Sequence, residues 1–380
     1  MDKRIPKIPF AIYILALIAV VVFVLIPKGA WRTISYSYMN PVKPAVTDMT
    51  QNTDPAVPSQ SDVSDPIVSD RRETMAWIYP GEPSCDAKAE YGDGRTIDVL
   101  KPEYFSVNEQ GGLVFLSEAD AGCNGYSPDN IADVKAHSKE QFVTVSASYA
   151  KSMDILLSRS VSNDADVKRL VDFVATNGMT GIELDFEDFG GWNAGTYGRF
   201  KQFTEKLGTA LHEQGKQLMI DGPAIASDEE KGWYQWRYED FVSLPVDHVV
   251  VMAYDYQFDH GTGTPISPLN WTRDVIRYAV SKFPDTSRIT IGIPSYGYRG
   301  ESGTGRISIL TYDQTKKIPG FSKAKRDVSS GEMTWTDGGM VDYYQDGESM
   351  SLKRKAIEAA GIYSVSVWHL GGNTWFSSGN

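Results

Sequence analysis

The spacing of apolar residues changes character twice along the chain. Ile8 to Ile26 is an apolar run of 19 residues without a charge. As a helix it would span roughly 28 Å, close to the hydrocarbon thickness of a bilayer. Pro41 to Asp70 has no period. It carries Pro41, Pro44, Pro55, Pro58 and Pro66, and between Ala45 and Asp70 it has five Asp and no Lys or Arg. Such a stretch buries too little apolar surface to offset its ordering entropy, and it reads as a tether reaching about 30–40 Å. From Arg72 onward, short β-rich runs alternate with segments of helical spacing. The pattern predicts an anchor in residues 1–30, a Pro/Asp-rich linker in 31–71 and a folded domain in 72–380.

Within that domain the strand candidates are Met75–Tyr79, Tyr104–Val107, Phe142–Ser146, Gly181–Phe186, Gln217–Ile220, His248–Ala253, Ile289–Ile293 and Tyr363–Trp368. Val167, Leu170, Val171 and Val174 follow a three-four spacing. So do Phe200, Phe203, Leu207 and Leu211, with Gly215 in a capping position. A run such as His248–Ala253, apolar almost throughout, fits a parallel strand covered on both faces. Eight strands with intervening helices over about 300 residues predict an α/β fold, a (β/α)₈ TIM barrel. A doubly wound open sheet is the alternative. It usually places a Gly-rich phosphate turn after its first strand, and none follows Met75–Tyr79. The short segment between Tyr298 and Ala359 predicts a small α+β insertion between the seventh and eighth strands.

Charge narrows the function. A formal net charge of -12 offers no basic footprint for phosphates, so nucleic acid is not an expected partner. Lys3, Arg4 and Lys7 precede the apolar run, which places the short N-terminus inside and the domain outside a membrane, although Lys28 and Arg32 follow it. Cys85 and Cys123 are the two cysteines; with no Cys-x-x-Cys pair and five scattered His, a zinc site is not expected. The cysteines are buried thiols or a disulfide. An extracytoplasmic position favours the disulfide, joining the loops after the first two strands. No cofactor is expected, and the domain is expected to act as a monomer.

The stretch that carries chemistry is Thr180-Gly-Ile-Glu-Leu-Asp-Phe-Glu187. Alternation in a strand turns Glu183, Asp185 and Glu187 to one face and Ile182, Leu184 and Phe186 to the other, with same-face neighbours about 6.5–7 Å apart. In a barrel the apolar set faces the helices and the acids face the interior, Glu187 nearest the C-terminal mouth. Burying three carboxylates costs several kcal/mol unless they share protons or find donors. An edge strand with a solvated acidic face, or a Mg²⁺ or Ca²⁺ site, are the other readings of the same row. In the first reading Glu187 is a general acid whose neighbours raise its proton affinity, and the row titrates as a coupled set.

This stretch resembles the signature of family 18 glycoside hydrolases, D-G-x-D-x-D-x-E at the end of the fourth barrel strand. Glu187 falls on the proton donor and Asp185 on the residue that orients the substrate acetamido group. Glu183 stands where the family has Asp or Asn, and Thr180 replaces the leading Asp. Met252-Ala-Tyr-Asp255 resembles the sixth-strand motif, Gly292-Ile-Pro-Ser-Tyr-Gly297 the seventh-strand motif, and Trp368 the eighth-strand tryptophan that floors the pocket. Gly263–Trp271 and Asp346–Lys353 resemble segments of the spore-germination and cortex-lytic branch.

The resemblance implies retaining, substrate-assisted cleavage of a β-1,4-linked N-acetylglucosamine polysaccharide, chitin or peptidoglycan. Glu187, Asp185, Tyr254 and Glu183 would be catalytic. Asp255, Trp368, Tyr296, Tyr79 and Met252 would bind the sugar. A barrel that binds wall polysaccharide without cutting it is the rival, and such a protein typically loses the acid.

Overall fold

Eight parallel strands close on themselves in the computed structural model, which describes residues 72–377 apart from 93, 94 and 96. The apolar run Ile8–Ile26 and the Pro41–Asp70 linker lie outside the described residues. Among those residues no helix is long and apolar enough to cross a membrane. In chain order the strands are β1 (Glu73–Ile78), β2 (Val99–Val107), β3 (Leu113–Phe115), β4 (Glu140–Ala147), β5 (Gly181–Phe186), β6 (Gln217–Pro223), β7 (His248–Met252) and β8 (Ile289–Pro294). There follow β9 (Gly297–Glu301), β10 (Ile307–Leu310), β11 (Lys325–Arg326), β12 (Met333–Asp337), β13 (Met340–Tyr344) and β14 (Ser364–Trp368). The order β1-β14-β8-β7-β6-β5-β4-β2, with β1 also paired to β2, makes the barrel. β3 adds antiparallel to β2. β2 begins at Val99, five residues earlier than the sequence pattern predicts.

Alternation sorts the side chains as the pattern requires. Ile182, Leu184 and Phe186 join the outer core with Phe200, Phe203 and Leu207 of helix Ala194–His212. Met75, Trp77, Val99, Phe142, Met219 and Val250 meet inside the barrel. Helix Ala165–Asn177 closes on Gly178 in the left-handed region. Helix Ala194–His212 starts on Asn193, whose side chain accepts from the N–H of Gly195 and Thr196, and it is capped by Glu213. Gly215, two residues beyond that cap, takes the positive φ of 63° that turns the chain toward β6.

The ring of helices is incomplete. Between β6 and β7 the described chain forms one turn, Asp228–Lys231, and a 3₁₀ turn, Tyr238–Phe241. Aromatic packing does the covering there. Trp236 is fully buried, stacks on Phe241 at 4.6 Å and meets Phe200 at 5.7 Å. Gly222 in β6 makes room for it, since a Cβ at that position would lie 2.7 Å from the indole.

The insertion between β8 and β14, the seventh and eighth strands of the barrel, is a five-stranded antiparallel sheet, β10-β9-β13-β12-β11. One buried carboxylate rivets it to the loop after β7. Glu332 accepts from the backbone N–H of Ile266 at 2.8 Å and of Ser267 at 2.6 Å, with Lys353 Nζ at 3.4 Å.

Cys85 and Cys123 are joined in a disulfide with 5.4 Å between their Cα atoms. It ties the loop after β1 to the chain after β3. Asn124 reinforces the junction, donating its side-chain amide to the carbonyls of Tyr79 at 3.2 Å and Ser84 at 2.6 Å. Closing a loop across a sequence separation of 38 removes unfolded-state entropy. The C85S/C123S variant is therefore expected to lose about 3–4 kcal/mol of stability. Urea unfolding of the oxidised wild type and the variant reads this directly, and coincident midpoints would contradict it.

Candidate active site

β5 sets the site. Its register with β4 places Glu183 opposite Thr144 and Asp185 opposite Ser146. Glu183 is completely buried in the barrel interior and Asp185 almost so, while Glu187 is half-buried at the mouth. The backbone of Glu187 is fixed from both sides. Its N–H donates to the carbonyl of Ala147 at 2.9 Å, and its carbonyl accepts from Trp192 Nε1 at 2.8 Å. Asp188 follows in the left-handed region, at φ 54°, and its carboxylate accepts from the N–H of Ala150 at 2.9 Å. Asp is among the few non-glycine residues that take this conformation readily, so the chain turns sharply just past the acid. Thr180 sits at the foot of the strand, where its hydroxyl accepts from the N–H of Gln141.

The interior acids are matched by a cation that the sequence pattern did not place there. Lys101 on β2 is fully buried and forms an ion pair with Glu183. Its Nζ also lies 3.4 Å from the centre of the Trp77 indole. Glu183 accepts in addition from Trp77 Nε1 at 2.8 Å and from Thr144 Oγ1 at 2.7 Å. Two further acids complete the set. Glu103 on β2 accepts from Ser146 Oγ at 2.5 Å, and Asp221 on β6 is 1% exposed.

Electrostatics follows from this crowding. Burial raises the Asp185 carboxyl well above the ordinary carboxylate range. The negative charges of Glu187, Glu103 and Glu183 add to the rise and Lys101 opposes it. Asp221 is raised well above its ordinary value by burial first and then by Glu183, again against Lys101. Crowding this many carboxylates around one ammonium in a closed barrel favours the protonated forms of Asp185 and Asp221.

The other predicted residues gather around the mouth. Tyr254 and Asp255 follow β7. Desolvation holds the Tyr254 hydroxyl protonated, and nearby Asp185, Asp221 and Glu187 reinforce this. Asp255 takes φ 65° and accepts from the hydroxyl of Tyr296. Burial pushes its carboxyl up to about 6, with the bonds from Tyr296 and Gln257 acting the other way. Met252 ends β7 with the inward parity of Val250, level with Gly292 of β8. Trp368 ends β14 and is partly buried, its ring 5.6 Å from Trp77 and 6.3 Å from Tyr79, both edge-on. Among the described residues no group of three or more His, Cys, Asp or Glu is arranged to hold a metal ion.

Sequence reasoning missed Lys101, Glu103 and Asp221. Lys101-Pro-Glu103 resembles a turn when read locally, because Pro102 donates no backbone hydrogen bond. Asp221 is a single acid in the otherwise apolar run Gln217–Pro223, and that interruption was the available signal.

Removing the cation would strand Glu183. Lys101→Met is expected to cost about 3–5 kcal/mol of stability. Glu183→Gln combined with it should recover part of the loss, and a double-mutant cycle by chemical denaturation checks the coupling. Additive effects would show that the pair is not coupled.

The chain is 25% identical over 241 residues to the cortical fragment-lytic enzyme of Bacillus subtilis, covering 57% of this chain and 53% of that protein. It thus spans about half the length of the curated relatives it matches. Its fold is similar to a chitinase from Chromobacterium violaceum, with a TM-score of 0.67, 20% identity and coverage of 80% of this chain and 95% of that one. It is also similar to the spore cortex-lytic enzyme of Bacillus megaterium, with a TM-score of 0.65, 17% identity and coverage of 80% and 71%. The family profile of glycosyl hydrolases family 18 matches residues 96–373, which take in β2 to β14 and the whole acid row, and the chain belongs to that family.

Proposed function

We propose that the domain hydrolyses β-1,4-linked N-acetylglucosamine polysaccharide with retention, using the substrate's own acetamido group as the nucleophile. The carrying observation is the row itself: Asp185 is buried on β5 two residues before Glu187, which directly follows the strand and whose charge acts on it. A conventional retaining pair needs a second carboxylate across the sugar ring, about 5–5.5 Å from the acid. Asp185 approaches from the acid's own side and is badly placed to attack the opposite face.

In this reading Glu187 protonates the glycosidic oxygen and the acetamido carbonyl oxygen attacks the anomeric carbon. The bond to the leaving sugar breaks, and a cyclic oxazolinium ion forms. Asp185 and Tyr254 stabilise that ion through hydrogen bonds in a site sheltered from water. Glu187, now ionised, takes a proton from the incoming water, which opens the ring and restores the acid. Asp255 and Tyr296 would hold the sugar at the cleavage point. Trp368 would stack beneath it, with Tyr79 and Met252 at the edge.

Peptidoglycan is the favoured polymer, because the N-terminal apolar run supports a membrane tether that would keep the domain beside its own cell wall. Protease added to intact spheroplasts should then release a soluble fragment by cutting between Ala45 and Asp70, and full protection would reverse the topology.

Matched oligosaccharides with and without the 2-acetamido group test the mechanism. The acetylated substrate alone should be cleaved, with retained configuration. Glu187→Gln should lower turnover by about 100-fold or more while leaving affinity within an order of magnitude, since the amide keeps the shape and loses the proton. Equal cleavage of the deacetylated substrate would defeat the substrate-assisted step. Binding without turnover in the wild type would favour a wall-binding role.

A further inference from the structure

Asp221 has no place in the mechanism above, yet it lies inside the barrel beside the acids that do. Continuing the β5–β6 register one step beyond Leu184 and Ile220 sets it level with Asp185. It is 1% exposed, and neither carboxyl oxygen accepts a hydrogen bond from any donor. Its neighbour is another carboxyl, Glu183. Two carboxylates cannot hydrogen-bond to each other unless one carries a proton, and Glu183 already accepts from Trp77, Thr144 and Lys101, which leaves Asp221 as the donor.

An inventory of Glu183 shows what that proton does. A carboxylate has about four lone-pair sites. Trp77 and Thr144 take the two on Oε2, and Lys101 takes one on Oε1. One site remains, and it can be filled by Asp221 or by Asp185, not by both. Asp185 Oδ1 has no hydrogen-bond partner.

We infer that Asp221 is a positioning residue for the reaction at Glu187: by donating its proton to the last free site on Glu183, it keeps Asp185 from bonding downward and leaves that group turned toward the mouth. This rests on the catalytic reading proposed above. The charged or titratable groups that act on Asp221 and Asp185 are Glu183 and Glu187 from β5 and its end, Lys101 and Glu103 from β2, and Tyr254 just past β7, while His248 at the start of β7 acts on Lys101. Inward positions on the remaining barrel strands bring Trp77, Thr144, Ser146 and Trp368, which do not titrate in the working range. Burial and the charge of Glu183 both favour the protonated form of Asp221, as the donor role requires.

Two substitutions separate the possibilities. Asp221→Asn retains a donor for Glu183, whereas Asp221→Val has similar bulk and no donor. The expected result is that D221N keeps kcat near wild type. D221V should lose about tenfold or more in kcat, a part of what acid–base groups supply, with KM little changed. Loss in D221N equal to that in D221V, or wild-type kcat in D221V, would overturn the inference.

A second readout needs no turnover. Carbon-13 NMR of the full-length protein labelled at Asp carboxyls should show a protonated signal at pH 7 that disappears in D221N. A wild-type Asp221 found ionised at pH 7 would overturn the inference whatever the activity. If no acetylated substrate is cleaved by any form, the catalytic reading fails, and the NMR result still decides the protonation of Asp221.

Discussion

A carboxylate enclosed by a parallel barrel loses nearly all of its hydration, and the rest of this structure is arranged around meeting that loss at Glu183. Lys101 supplies the opposite charge, Trp77 and Thr144 supply donors, and the four come from four different strands. Neither charge is tolerable there alone. An unpaired ammonium at Lys101 would be as costly as an unpaired acid. The barrel must therefore close in the right register before either charge is satisfied, which couples the chemistry at the mouth to the correctness of the fold below it. Above this ion pair the charge balance is negative, which favours the protonated forms of Asp185 and Asp221.

The loops that carry the side chains proposed to face the substrate are held by separate devices. Asn124 and the Cys85–Cys123 bond fix the carbonyl of Tyr79 and the turn after it. Glu332 holds the backbone at Ile266 and Ser267, and Ser267 Oγ in turn donates to the carbonyl of Ala253, next to Tyr254. The inserted sheet thus braces the β7 side of the mouth through buried polar contacts. These are satisfied on both sides, which is the condition for a polar network to rigidify rather than weaken a site.

Much of this was legible in the chain. β5 begins and ends where its pattern predicts, and the outward set Ile182, Leu184 and Phe186 is diagnostic because alternation is a purely local property. Glu187, Tyr254 and Trp368 lie at or just past the ends of β5, β7 and β14, in the order that the resemblance to a family implied. Lys101 was not, because its burial depends on Glu183, 82 positions away, and no local pattern carries that information. The missing helix between β6 and β7 escaped notice for a related reason. Its layer is filled by Trp236 and Phe241, whose packing on Phe200 is a tertiary fact. Roles at the mouth came from resemblance to a family; the residue pattern supplied only their placement.

The two-residue alternation in β5 also governs how such a gene can vary in length. Dropping one codon between Gly178 and Gly181 would slide the strand by one position. Every acid would then turn into the helical layer, and Ile182, Leu184 and Phe186 would turn inward. Beyond Glu187 the chain has already left the sheet, so a codon gained or lost there changes a loop and leaves the row intact. Natural variation in length should accordingly collect on the mouth side of this strand and be purged from its foot, so that substrate range can drift while the acid stays where it is.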